Sequence, residues 1–137
     1  MPHYRIRDAA ELLGVSSDTL RRWADGGRLV TTHDDAGRQV VDGAVLAAFA
    51  QELAAGDAHE AYGARSSGHS VRNRFTGLVT RVVRDTVMAQ VEIQAGPHRI
   101  VSLISREAAD ELGLEPGVLA VAAVKSTNVA VELVAPR

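Results

Sequence analysis

Hydrophobic positions follow two rhythms along this chain. Up to about residue 55 they recur at helical steps of three and four, and from about residue 73 they alternate or run in β-branched blocks. In the first part Ile6, Ala9, Ala10 and Leu13 predict a short helix with one buried stripe, ended by Gly14. Ser16 and Ser17 then offer a hydroxyl cap for a second helix, with Asp18 in its first turn, where a negative charge favours the helix dipole. Leu20 and Trp23 of that helix point inward. Ser17, Thr19, Arg21 and Arg22 are left outward, and Gly26 and Gly27 stop the helix. Helix, glycine-containing turn, helix is a helix-turn-helix pattern. TTHDDAGRQVV follows, two short extended pieces around a turn signal, and reads as a hairpin wing. Asp42 is placed to cap a third helix whose Val45, Leu46, Phe49 and Leu53 close a small core.

The second part is rich in strand. Val87, Ala89, Val91 and Ile93 alternate with Met88, Gln90, Glu92 and Gln94, the period of a half-buried strand. FTGLVTRVV precedes it, RIVSLI follows across Gly96-Pro97, and VLAVAAVK and VAVELV close the chain. SREAADELG between them is a short helix that Ser105 can cap, with Ala108, Ala109 and Leu112 inward and Gly113 at the stop. Five strands and one helix in roughly 65 residues predict a small closed or nearly closed barrel. The intervening AAGDAHEAYGARSSGHS is poor in core-forming residues and reads as a linker, although HEAY could extend the preceding helix. The expected organisation is α+β multidomain: residues 1–55, a linker at 56–69, and residues 70–137.

Composition narrows the chemistry. Hydrophobic residues make up 46% and charged residues 23%, ordinary for a globular protein. The formal net charge of −2 gives no global pull toward nucleic acid, so any DNA contact has to come from a local arginine face. The absence of cysteine rules out disulfides and thiolate chemistry and fits a reducing compartment. No run approaches the ~20 apolar residues of a membrane span, and the N-terminus lacks a signal-peptide core, so a soluble cytoplasmic protein is expected. The histidines His3, His33, His59, His69 and His98 share no metal-ligand spacing, and no nucleophile elbow or phosphate-binding loop occurs. Glu107, Asp110 and Glu111 on the short helix read as a solvated face. An enzyme is not expected.

One residue stands apart. Lys125, within VKSTNV, is the only lysine in a chain of fourteen arginines, and it lies beside two hydroxyls and an asparagine. An ammonium is a compact point charge with three rotatable donors, unlike the planar guanidinium fork. Taken alone, a single lysine is also what an ordinary solvated surface position would hold; the alternative is an oxyanion-like grouping, since the ammonium, hydroxyls and amide can all donate.

YRIRDAAELLGVSSDTLRRWADGGRL resembles the winged helix-turn-helix of the MerR and excisionase type over about residues 4–54. That resemblance implies DNA binding, with Ser17, Thr19, Arg21 and Arg22 of the second helix toward bases or phosphates and Arg38 of the wing toward the backbone. SVRNRFTGLVTRVV, SLISREAADELGLEPG and AVKSTNVAV together resemble the Mop domain of molbindins and molybdate-responsive regulators, in the TOBE group, over residues 70–134. This second resemblance implies a five-stranded OB-like barrel that binds molybdate or tungstate at subunit interfaces, with no other cofactor. By it Ser70, Arg72 and Asn73, Ser105 at the helix start, and Lys125, Ser126 and Thr127 are the oxyanion-binding residues. The family has a small residue directly after the lysine. Here Ser126 is followed by Thr127, which leaves open which hydroxyl contacts ligand.

The expectation is therefore a one-component transcription regulator, homo-oligomeric through its second domain, binding a palindromic operator and sensing molybdate or tungstate. The alternative is a storage or buffering protein for these oxyanions, without specific DNA binding.

Overall fold

The computed structural model describes residues 2–56 and 70–135. The chain divides into two compact units, Met1–His59 and Glu60–Arg137. Apart from Gly56, the expected linker at 56–69 lies outside the described residues, as does the HEAY extension.

The first unit holds β1 (His3–Arg5), α1 (Ile6–Leu13), α2 (Ser17–Asp25), β2 (Thr32–His33), β3 (Gln39–Asp42) and α3 (Gly43–Gly56). α1 and α2 form where the apolar steps predict them. Gly14 ends α1 in the left-handed conformation, φ 71°, which a side chain would resist. Ser16 caps α2 by accepting the Thr19 N–H at 3.1 Å. Asp42 Oδ1 accepts the Ala44 N–H at 2.9 Å at the start of α3. β2 and β3 form the expected hairpin. The periodicity of the first residues gives no hint of β1, which pairs with β3 through Arg5 opposite Val40 and makes a three-stranded sheet in the order β1-β3-β2. Ile6, Ala9, Ala10, Leu20, Leu29, Val41, Leu46 and Phe49 make the core. Trp23 packs edge-on against Phe49 at 5.4 Å, and the Arg28 guanidinium lies 5.1 Å from the Trp23 ring, closing that side of the core.

The second unit holds β4 (Asn73–Arg84), β5 (Met88–Ala95), β6 (His98–Ser105), α4 (Arg106–Glu111) and β7 (Leu119–Val124), followed by a 3₁₀ turn, Ser126–Asn128. Its strands form one antiparallel sheet in the order β6-β5-β4-β7. The long β4 curls the sheet by serving two neighbours: Leu78–Arg84 pairs with β5, and Asn73–Leu78 pairs with β7. A register shift between Val79 and Arg81 bends the strand at the changeover. Val79, Ala89, Val91, Ile93, Ala109, Leu114 and Ala122 fill the concave side. α4 is tied to β4 by Arg84, whose Nε donates to Asp110 at 2.9 Å and whose Nη2 donates to the Leu114 carbonyl at 2.9 Å.

Four details depart from the pattern. The sheet has four strands, not five, because VAVELV pairs with no described strand. Val131, Leu133 and Val134 are 89%, 97% and 95% exposed, and a lone extended segment has nothing to satisfy its backbone groups except water. Val87 precedes β5 and is exposed. Leu112, expected inward, is also exposed, since α4 ends at Glu111 and Leu114 turns in instead. Glu92 is buried despite its outward parity, because β5 is flanked on both sides and the Arg99 guanidinium closes over the carboxylate as an ion pair.

Gly77 sits on β4 at the changeover. A Cβ there would run into the backbone of Gln94 and Ala95 on β5, which cannot rotate aside. Gly77→Ala is expected to destabilise the second unit by about 1–3 kcal/mol, as other overpacked sites do. Urea unfolding followed by far-UV circular dichroism should show the loss. Fluorescence of Trp23, the single tryptophan, reports the first unit and should be unchanged.

Candidate functional site

Two groups of polar residues assemble, one in each unit. In the second, the N-terminal end of β4 lies beside the C-terminal end of β7, with Asn73 opposite Val124. The Asn73 amide donates to the Val124 carbonyl at 3.1 Å and ties the two strand ends together. Ser70 and Arg72, both exposed, lead into this corner from one side, and Lys125 leaves it on the other. Lys125 precedes the 3₁₀ turn, and its carbonyl accepts the Asn128 N–H at 2.9 Å. Lys125, Ser126 and Thr127 are exposed, and among the described residues Lys125 makes no ion pair. Six of the seven residues expected at an oxyanion site thus belong to two adjoining segments.

Ser105 is not with them. It pairs with Met88, at the end of β5 that adjoins Arg84, whereas Asn73 is at the opposite end of β4. Its hydroxyl accepts the Ala108 N–H at 3.1 Å as the cap of α4. The surrounding recess includes Glu107, Asp110 and Glu111 as well as Arg106, an acidic setting that disfavours an anion. One residue near the first corner escaped the motif. Arg74 keeps its Nε buried without a partner, a donor that strand periodicity alone does not flag.

In the first unit, α2 presents Arg21 and Arg22 to solvent, with Ser17 and Thr19 half-buried at its start. Ser16 Oγ donates to Thr19 Oγ1 at 2.9 Å, so that hydroxyl is partly engaged in capping. Arg21 lies 3.7 Å from Asp18, a loose exposed pair, and Arg22 has no ion pair among the described residues. Arg38 of the wing donates through Nε to Asp34 at 2.9 Å. Arg21 and Arg38 also share a cleft with Arg5, the last residue of β1, and Arg7 of α1, neither of which the apolar spacing singles out. Among the described residues no cluster of His, Asp and Glu could hold a metal ion, and no helix is long and apolar enough to cross a membrane.

The first compact unit thus combines an exposed arginine helix with a hairpin, and the second is a curled β unit with cationic and polar residues at its strand ends. Residues 5–41 match the MerR family regulatory protein model, and residues 69–131 match the TOBE domain. Molybdenum-pterin-binding protein 2 of Clostridium pasteurianum is 39% identical over 61 residues, 44% of this chain and 90% of that protein. Molybdenum-pterin-binding protein 1 of the same organism is 36% identical over the same shares. Among solved structures, a molybdate binding protein from Sporomusa ovata is 30% identical, covering 49% of this chain and 100% of that one with a TM-score of 0.47. MopII from Clostridium pasteurianum is 36% identical over 48% and 100%, with a TM-score of 0.46. The chain belongs to the TOBE family of the molybdenum-pterin-binding proteins, as a member that also carries a MerR-type N-terminal domain.

Asp34 organises the wing. Its Oδ1 accepts the N–H groups of Ala36 at 3.0 Å and Arg38 at 2.9 Å. Its carboxyl is held below the ordinary aspartate value, first by the Arg38 backbone N–H, with the Arg38 guanidinium adding to the effect against some desolvation. A depressed folded value means the stabilisation is complete above the ordinary value of about 3.9 and is lost as pH falls through the lower folded value. Carboxyl NMR should therefore give an Asp34 midpoint below that of a free aspartate, and in Asp34→Asn the acid-dependent loosening of the hairpin should disappear.

Proposed function

We propose that this protein is a one-component DNA-binding regulator that senses molybdate or tungstate through its second domain, and that it is not an enzyme. The observation that carries the reading is the joining of a MerR-type domain to a TOBE domain in which Arg72, Asn73 and Lys125 meet at one corner. Guanidinium, amide, ammonium and hydroxyl groups there can donate to a dianion without requiring a proton from it. Relatives named for molybdenum-pterin binding support the choice of ligand. In the first domain, Arg21 and Arg22 suit guanine edges and Arg38 suits a phosphate, and two copies would bind a palindromic operator.

A homo-oligomer assembles through the second domain in this reading. β6 and β7 are sheet edges, Leu103 and Leu119 are exposed, and the tail from Val129 offers apolar residues with no cover among the described residues. Ser105 joins an oxyanion site only if a second copy supplies it. The alternative, storage without specific DNA binding, is favoured by one observation: the Clostridium relatives are matched over 90% of their length by the second domain alone.

Calorimetric titration with molybdate, tungstate and sulfate, with the mass recorded in the same samples, tests the ligand and the assembly. Lys125→Met should weaken molybdate binding about tenfold or more, since charged hydrogen bonds contribute about 1.5–3 kcal/mol. Lys125→Arg should also weaken it, because the planar head does not replace a compact ammonium. Parent-like affinity in Lys125→Arg would remove the special role of the lysine, and a monomer with bound oxyanion would contradict the interface site.

For DNA, Arg22→Ala should lower operator affinity by about 1–3 kcal/mol if the residue reads a base, with molybdate affinity unchanged. Binding without sequence preference at elevated salt would favour the storage reading.

A further inference from the structure

One cleft joins Arg21 and Arg38, already expected to face DNA, to Arg5 and Arg7, to which the helix-turn-helix pattern assigns no role. It encloses about 400 Å³ and is lined by Arg5, Ile6, Arg7, Arg21, Arg38 and Gln39. These residues come from separate pieces of the first unit: the β1-α1 junction, α2, and the wing. The pairing of Arg5 with Val40 places the end of β1 directly beside Gln39 and Arg38 of the hairpin. The four guanidiniums are brought together by the fold, since Arg5 and Arg38 are far apart in the chain.

Like charges gathered this way repel. Asp34 offsets Arg38 at 2.9 Å, and Asp18 lies 3.7 Å from Arg21. Asp8 stands in the first turn of α1 next to Arg7, but no carboxylate lines the cleft itself. Arg5 and Arg7 have no ion pair among the described residues, and all four arginines are exposed. A chain of net charge −2 thus keeps a local excess of positive charge on one face.

We propose that this cleft clamps the sugar-phosphate backbone of DNA, with Arg5 and Arg7 as phosphate-binding groups that work beside the base-reading face of α2. The proposal rests on the reading that the first domain binds DNA, and extends its binding surface from Arg21 and Arg38 to Arg5 and Arg7. Guanidinium forks match phosphate oxygens two at a time. Guanidiniums that stay open to solvent hold a small free anion poorly, because solvent and salt screen each interaction, unlike a site that a second copy closes. A polyanion escapes that limit by releasing condensed counterions for every phosphate neutralised. Backbone binding of this kind sets register and orientation without carrying sequence information.

The experiment compares the parent full-length protein with Arg5→Gln, Arg7→Gln, Arg5→Lys and Arg7→Lys. Fluorescence anisotropy would follow a mixed-sequence duplex and a duplex that the parent selects from a randomised pool, each across a salt series. Each glutamine variant should bind both duplexes several-fold more weakly, by the same factor. Its salt slope should become shallower by about 0.9 for each copy bound to the duplex, the value for one phosphate per copy that is no longer neutralised. The lysine variants should keep the slope, which separates removal of charge from damage to the fold. Unchanged affinity and slope in both glutamine variants would overturn the clamp while leaving the DNA reading intact. Weakening on the chosen duplex alone would also overturn it, since that is the mark of base reading. A parent that binds neither duplex would overturn the DNA reading and the clamp together.

Discussion

Strand β4 has one backbone and two neighbours to satisfy. Its Leu78–Arg84 half pairs with β5 and its Asn73–Leu78 half with β7, so the sheet has to curl where the partners change. Gly77 allows the close approach of β5 at that point, and the shifted register between Val79 and Arg81 absorbs the bend. The concave core around Val79, Val91 and Ile93 follows from this curl, as does the meeting of the first residues of β4 with the last of β7. The Asn73–Val124 hydrogen bond holds that meeting point. Without the β4–β7 pairing, Arg72 and Lys125 would belong to unrelated loops.

The distribution of charge follows a similar logic. Some arginines are consumed internally: Arg84 anchors α4 through Asp110, Arg99 covers the buried Glu92, and Arg28 lies over Trp23. Others have no ion-pair partner among the described residues, notably Arg5, Arg7, Arg22 and Lys125. The paired cations support packing. The unpaired ones lie where a helix face, a cleft or a strand end leaves them directed at water, and these are the positions suited to an external anion.

Much of the local structure was legible in the sequence. Three- and four-residue apolar steps marked α1, α2 and α3, and two of the helix starts were marked by Ser16 and Ser105, whose hydroxyls accept backbone N–H groups three residues on. The alternation from Ala89 to Ile93 identified the buried face of β5. It misplaced Val87 and Glu92, because parity predicts a side chain's direction but not what covers it. VAVELV has a strand-like composition and no described partner, since a strand is completed by a neighbour and not by its own pattern.

The sequence alone determined the residue types and their local spacing: helix faces and caps, the lone lysine among hydroxyls, and the arginine pair on α2. These depend on interactions within a few positions, which the chain encodes directly. Only the tertiary structure decided which distant residues meet. It set Asn73 against Val124 while leaving Ser105 at the far end of the strands, and it set Arg5 beside Arg38 through β1, an element with no signal of its own. The physical reason is that pairing between strands is chosen by closure of a whole core, a property that no short window of residues contains.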